Sequence, residues 1–214
     1  MVPEDVPSRI EHRVLGPMTT PADVIEVLDT SIQYGTAACV PPCYVSLAES
    51  YAPGVRLVTV IGFPHGQHDP SVKAAEAERA QRDGADALEV VCNAGRLRAG
   101  EDDGVRDDLA EVVAATSLPV DVLVHAPLLA DDERDHIAQI AADVGAESLT
   151  TATGLSGDEP TVEHVRQLAR YLPVKATGPV QSWDTAKLLF EAGAAWIGTT
   201  AADGILDAYY EENA

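Results

Sequence analysis

The sequence predicts a (β/α)8 barrel, and three observations carry that prediction. Short apolar, β-branched segments alternate along the chain with stretches of helical period, and eight such strand segments can be counted. No Ser/Gly-rich linker or break in composition divides the 214 residues, so one domain over 1–214 is expected, a lean barrel for its class. No G-x-G-x-x-G follows the first strand, which disfavours the doubly wound open sheet that the same alternation could build.

Each element has a local reason. Arg9 to Leu15 (R-I-E-H-R-V-L) alternates and reads as the first strand. Thr20-Pro21 opens a helix with proline at its first position, running to Tyr34 and stopping at Gly35. Thr36 to Val40 is a short buried strand closed by two prolines, and Val45 to Tyr51 a short helix. Arg56 to Gly62 (R-L-V-T-V-I-G) is strongly β-branched. Asp69 caps a helix to Asp83, ended by Gly84. The unit then repeats. Strands are expected over 87–92, 120–125, 148–153, 174–177 and 195–199. Helices are expected over 105–116, 131–144 with Asp131 as cap, 161–171, 182–192 with Ser182 as cap, and from the last strand to about Glu211.

Thirty-five acidic against fourteen basic residues give a formal net charge of −21. Nucleic acid and anionic membrane surfaces are therefore excluded as partners. The acid is spread along the chain, a pattern resembling proteins of salt-accumulating halophiles, so folding is expected to need high ionic strength. The start, M-V-P-E-D-V-P, lacks the basic and apolar regions of a signal peptide, no run is long enough to span a membrane, and a cytoplasmic location is expected. Cys39, Cys43 and Cys92 are an odd set with no zinc spacing, so neither a disulfide framework nor a metal is expected.

The candidate site lies where polar residues interrupt apolar strands. Lys175 stands between Val174 and Ala176, and a charge there must be paired, hydrated or functional. Lys73 and Lys187 fall instead in charge-bearing helical patterns and are expected at the surface. Glu89 lies between Leu88 and Val90, and Asp121 and His125 are spaced to share one face of the fifth strand. The sixth carries Thr150, Thr151 and Thr153 before Gly154. A barrel interior brings these groups within reach. A lysine, two carboxylates and a histidine could perform proton transfer and carbonyl chemistry, or form a neutralised structural network. Gly154, Gly178 and the Gly198-Thr199-Thr200 turn follow strands six to eight, where barrels commonly hold a phosphate on backbone N–H groups. His65 and His68 with Glu89 and His125 offer a weaker metal-assisted alternative.

Six stretches together carry a family resemblance. They are I-E-H-R-V-L-G-P (10–17), A-A-C-V-P-P-C-Y-V (37–45), V-T-V-I-G-F-P-H-G (58–66), G-A-D-A-L-E-V-V-C-N-A-G-R-L-R-A-G (84–100), T-A-T-G (151–154) and V-K-A-T-G-P-V (174–180). The chain resembles deoxyribose-phosphate aldolases from Ile10 to about Ala208, and its acidity looks haloarchaeal. The resemblance implies a (β/α)8 class I aldolase that cleaves 2-deoxyribose 5-phosphate to glyceraldehyde 3-phosphate and acetaldehyde, through a lysine Schiff base without metal or cofactor. It also implies a small phosphorylated sugar or aldehyde as ligand, and a homodimer.

The family's residues carry over unevenly. The Schiff-base lysine of its sixth-strand K-T-[SA]-T-G motif is matched here by Thr150, which cannot form an imine. The second lysine is matched by Lys175, and the proton-relay aspartate by Glu89. A lysine and a glutamate of the fifth strand are matched by Asp121 and His125. The early D-H-T is Glu11-His12-Arg13, and the Gly-Gly phosphate turn is Gly178-Pro179, one N–H donor fewer. The Ser-Ser after the eighth strand is Thr200-Ala201. With fewer positive charges around it, Lys175 is expected to be a paired cation of raised pKa. Three functions stay open: imine chemistry moved to Lys175 with Glu89 or His125 carrying the proton, a non-catalytic member binding a phosphorylated ligand or partner chain, and metal-assisted chemistry on the histidines.

Overall fold

Eight parallel strands close into a barrel in chain order, each hydrogen-bonded to the next and the last to the first, in a computed structural model that describes residues 2–155 and 160–213. The strands are β1 (Ile10–Arg13), β2 (Ala37–Val40), β3 (Leu57–Ile61), β4 (Ala87–Val91), β5 (Val120–Leu123), β6 (Ser148–Thr150), β7 (Val174–Thr177) and β8 (Ala194–Thr199). Helices α1 (Pro21–Tyr34), α2 (Val45–Tyr51), α3 (Pro70–Arg82), α4 (Ala94–Arg98), α5 (Asp102–Ala114), α6 (Asp131–Asp143), α7 (Val162–Leu168), α8 (Trp183–Ala192) and α9 (Ala202–Asn213) surround them.

The helix ends follow the sequence signals. Thr20 accepts from the Asp23 N–H while the Asp23 carboxylate accepts from the Thr20 N–H, a reciprocal cap on α1. Ser182 accepts from the Thr185 N–H at the start of α8. Two expectations shift. Asp131 lies inside α6 instead of capping it; Ala130 precedes the helix, and its N–H donates to Glu133 at 2.8 Å. The short α4 was not expected; Asn93 starts it by accepting from the Arg96 N–H.

The main core lies outside the barrel, where outward strand residues such as Val90, Val122, Leu149 and Ala176 meet the helices. A second apolar cluster, Cys39, Val58, Val60 and Ala87, lies apart from it on β2, β3 and β4. Lys73 overturns the expectation of a surface lysine. It is fully buried, and its ammonium donates to Asp108 Oδ2 at 2.6 Å and to the Val91 carbonyl at 3.0 Å, tying α3 to α5 and to the end of β4. No helix among the described residues is long and apolar enough to cross a membrane.

Candidate functional site

Alternation along each strand decides which side chains enter the barrel. On β7 Val174 and Ala176 pack outward, so Lys175 turns inward; Leu88 and Val90 do the same for Glu89 on β4, and Val120 and Val122 for Asp121 on β5. On β1, Ile10 packs outward, and Glu11 and Arg13 point into the barrel two residues apart. Thr150 follows outward-facing Leu149 on β6 and is the register partner of Lys175. Five strands thus deliver six polar side chains to one buried cluster, and their positions run from the second residue of a strand to its last, well inside the barrel.

Lys175 Nζ stands 2.6 Å from Glu11 Oε2, 2.8 Å from Glu89 Oε1 and 3.1 Å from Asp121 Oδ2. Three carboxylates therefore face its three donor directions. Arg13 forks onto Glu89, with Nη1 to Oε1 and Nη2 to Oε2 both at 2.8 Å, and its Nη1 also donates to Glu11 Oε1 at 2.8 Å. Thr150 Oγ1 donates to Glu89 Oε1 at 3.3 Å. Burial alone would push the Lys175 ammonium down, but the charges of Glu11, Glu89 and Asp121 outweigh it and hold its pKa well above the ordinary lysine value. Burial would raise the Glu89 carboxyl, yet Arg13 and Lys175 pull it down to about 2.

Gly198 is what admits the arginine. A Cβ there would come within 2.5 Å of Thr177 Cγ2 and 2.8 Å of Arg13 Cδ. This glycine lies inside β8, one residue before its end, and makes room for packing. Thr199 ends β8 and is buried; its Oγ1 donates to the Val180 carbonyl at 2.6 Å and accepts from the Ala201 N–H at 2.9 Å. The other phosphate-site candidates follow the C-terminal ends of the strands. Gly154 and Gly178 approach so closely that a Cβ on Gly154 would stand 3.8 Å from Gly178 Cα. Thr153 is buried, its hydroxyl accepting from the Leu155 N–H at 3.3 Å, and Thr200 is exposed beside Gln181. Part of the loop after β6, residues 156–159, lies outside the described residues.

His125 does not join the cluster. β5 ends at Leu123, and His125 adopts a left-handed backbone with φ 54°, so the alternation that would align it with Asp121 is broken. It lies instead near His65, where burial first and the His65 charge second hold its pKa below the usual histidine value. His65 and His68 are exposed loop residues. Among the described residues, the only group of metal-ligating type is Glu11, Cys39 and Glu89. Its two carboxylates are already paired with Arg13 and Lys175, and burial drives the Cys39 thiol well above its ordinary pKa, so the thiolate that a metal prefers is disfavoured. Glu11 and Arg13 matched a family motif but were not singled out as site residues; the alternation of Arg9 to Leu15, which places 11 and 13 on one face, was the signal that could have found them.

Comparison with known proteins decides the family. Deoxyribose-phosphate aldolase of Haloarcula marismortui is 52% identical over 211 residues, covering 99% of this chain and 91% of its own length. That of Natronomonas pharaonis is 52% identical, covering 94% of each chain. The chain belongs to the deoxyribose-phosphate aldolase family. Solved structures of this family agree: the Aeropyrum pernix deoxyribose phosphate aldolase, described as a tetramer, superposes with TM-score 0.88 at 32% identity over 99% of this chain and 93% of that one. A solved structure described as "QR15, an Aldolase" superposes with TM-score 0.94 at 33% identity, covering 98% of each chain. No family model matches the chain. Within this aldolase family fold, the interior lysine is Lys175, and the sixth-strand position beside it is Thr150.

Proposed function

We propose that the chain is a carbon–carbon lyase of the deoxyribose-phosphate aldolase type, acting on a small phosphorylated sugar or aldehyde, with Lys175 as its amine. One observation carries the reading: Lys175 is a buried lysine inside the barrel and the register partner of Thr150, the residue at the position where the family resemblance implies the Schiff base. The Lys175 ammonium gives a proton to Glu11, within hydrogen-bond distance, and the free amine attacks the substrate carbonyl carbon. The carbinolamine loses water to give an iminium. Retro-aldol cleavage then breaks the carbon–carbon bond while Glu11 takes up the substrate hydroxyl proton, releasing one aldehyde and leaving an enamine. Protonation of the enamine carbon and addition of water return Lys175 and the second aldehyde. The phosphate of the substrate rests against Gly154, Gly178, Thr153 and Thr200. A homodimer, in which a second copy pairs with the first, is part of the same reading.

A second reading has a specific observation in its favour. Three carboxylates around Lys175 favour its protonated form, which suits a non-catalytic member that binds a phosphorylated ligand or partner chain.

Borohydride trapping separates the two. The protein in molar KCl is incubated with acetaldehyde, reduced, and weighed intact, with Lys175→Leu alongside. The lyase reading expects one adduct per chain, absent from Lys175→Leu. Its yield should rise about tenfold per pH unit from neutrality towards the amine pKa, because free amine is the reactant. No adduct at any pH at which the fold survives would leave the binding reading.

A further inference from the structure

A cavity opens at the end of the barrel opposite the loops that follow the strands. It has a volume of about 890 Å³, and Arg56, Pro119, Glu147 and Pro173, the residues just before β3, β5, β6 and β7, mark its rim at the N-terminal face. Barrel interiors are usually filled at this end by layers of side chains. Here the inward residues on the way in are small, Ala37, Val58 and Ser148, and the cavity reaches Glu11, Asp121 and Lys175.

We propose that this N-terminal cavity is a binding site for an organic cation, a primary ammonium on an apolar body. Three features of its floor and walls specify that chemistry. The first is charge. The buried cluster holds two cations, Arg13 and Lys175, against three carboxylates, Glu11, Glu89 and Asp121, so one negative charge is left over. Arg13 and Lys175 both bind Glu11 and Glu89; Asp121 has Lys175 alone, at the longest of the three distances, and is the most exposed of the three carboxylates. The surplus therefore sits on Asp121, on the cavity side.

The second feature is an unfilled hydroxyl. Ser148 is the register partner of Asp121, only 2% exposed, and its Oγ has no hydrogen-bond partner although it lines the cavity. A buried hydroxyl without a partner is destabilising and points to a missing one. A primary ammonium supplies what both groups lack: a positive charge and donors for Asp121 and for the Ser148 oxygen. The third feature is the rim, where half-buried Trp196 stands with Pro119, Pro173 and the exposed Tyr51. These suit an apolar or aromatic body; the Arg9 guanidinium already lies over the Trp196 ring, 5.7 Å from its centroid, so the ammonium end belongs at Asp121 and Ser148 and the body at the rim.

The test uses benzylammonium chloride as probe and benzyl alcohol as its uncharged counterpart, in constant molar KCl. Trp196 fluorescence is read in a Trp183→Phe background, which leaves one tryptophan, and calorimetry on the unsubstituted chain repeats the titration. The expected result is saturable binding of benzylammonium, weak or absent binding of the alcohol, and an affinity loss of about tenfold or more in Asp121→Asn, the weight of one charge-assisted hydrogen bond. Ser148→Ala should weaken binding by a smaller factor while barely disturbing the barrel, which guards against misfolding of the Asp121 variant. No saturable binding, equal binding of the alcohol, or full affinity in both variants would overturn the proposal. Because binding is read directly, a failed trapping experiment leaves this result unaffected.

Discussion

Glu89 holds the charged cluster together. It takes both forks of Arg13, one donor of Lys175 and the Thr150 hydroxyl, and it is fully buried. Glu89→Gln keeps the shape but leaves two buried cations facing one fewer charge. Removing one partner of a buried ion pair typically costs about 3–5 kcal/mol, and a loss of that order is expected in urea unfolding at fixed KCl. The pH dependence gives an independent reading. The folded carboxyl is held at about 2 against an ordinary 4.5, so its stabilisation is complete above the unfolded value and is lost as pH falls through the folded one. That difference corresponds to roughly 3 kcal/mol between pH 5 and pH 2, by the standard conversion of a pKa difference. Urea midpoints of the two proteins should therefore converge as pH drops through this window. A constant gap would show that Glu89 is not ionised in the folded state.

Pairing between elements recurs at Lys73. Its stem lies against Gly62, where a Cβ would come within 2.8 Å of Lys73 Cε, and its ammonium joins α3 to Asp108 on α5. Burial raises the Asp108 carboxyl, Lys73 opposes that rise, and Asp108 Oδ1 has no partner. Lys73→Met should thus destabilise by about 3 kcal/mol or more through the abandoned carboxylate. The double variant Lys73→Met with Asp108→Leu should recover most of the loss, since an apolar pair removes the unpaired charge. Thermal or urea unfolding of the three variants decides it, and a double variant no better than the single would refute the pairing argument. This lysine also marks a limit of sequence reading. Helical charge patterning put it outside, because the pattern does not reveal that a neighbouring helix supplies a carboxylate. The barrel itself was legible: α1, α2 and β7 match residue for residue, and for α1 the reason is local, since Thr20, Pro21 and Gly35 fix its ends. The inward placement of Lys175, Glu89, Asp121 and Thr150 was legible too, from period-two alternation. His125 was not, because its positive φ interrupts that alternation just past the strand. The packing role of Gly198 was not legible either, because a glycine that admits a distant arginine looks, in sequence, like a turn glycine.

The charge of the whole molecule separates cleanly by depth. Among the described residues the buried ionisable side chains with fixed charge are four acids, Glu11, Glu89, Asp108 and Asp121, and four bases, Arg13, Lys73, Arg134 and Lys175. Four against four leaves no net charge inside, so the full −21 belongs to the residues outside this set. Two of the three lysines are among the buried bases, and outside that set are left Lys187, tied to Glu212, and nine arginines against thirty-one acids. A shell this acidic repels itself, and the repulsion acts over the Debye length, about 10 Å at 0.1 M salt and about 3 Å at 1 M. The interior pairs are excluded from that screening by burial. Raising KCl should therefore relieve the destabilising surface repulsion while leaving Lys175, Arg13 and Lys73 paired. The expected outcome is a urea midpoint that climbs steeply between tenth-molar and molar KCl and then flattens. Charge-reversing substitutions on exposed acids, such as Glu111→Lys or Asp107→Lys, should raise the low-salt midpoint and shrink the salt dependence. A midpoint flat in KCl would show that surface repulsion is not what limits this fold, and a falling one would make the interior ion pairs the salt-sensitive element.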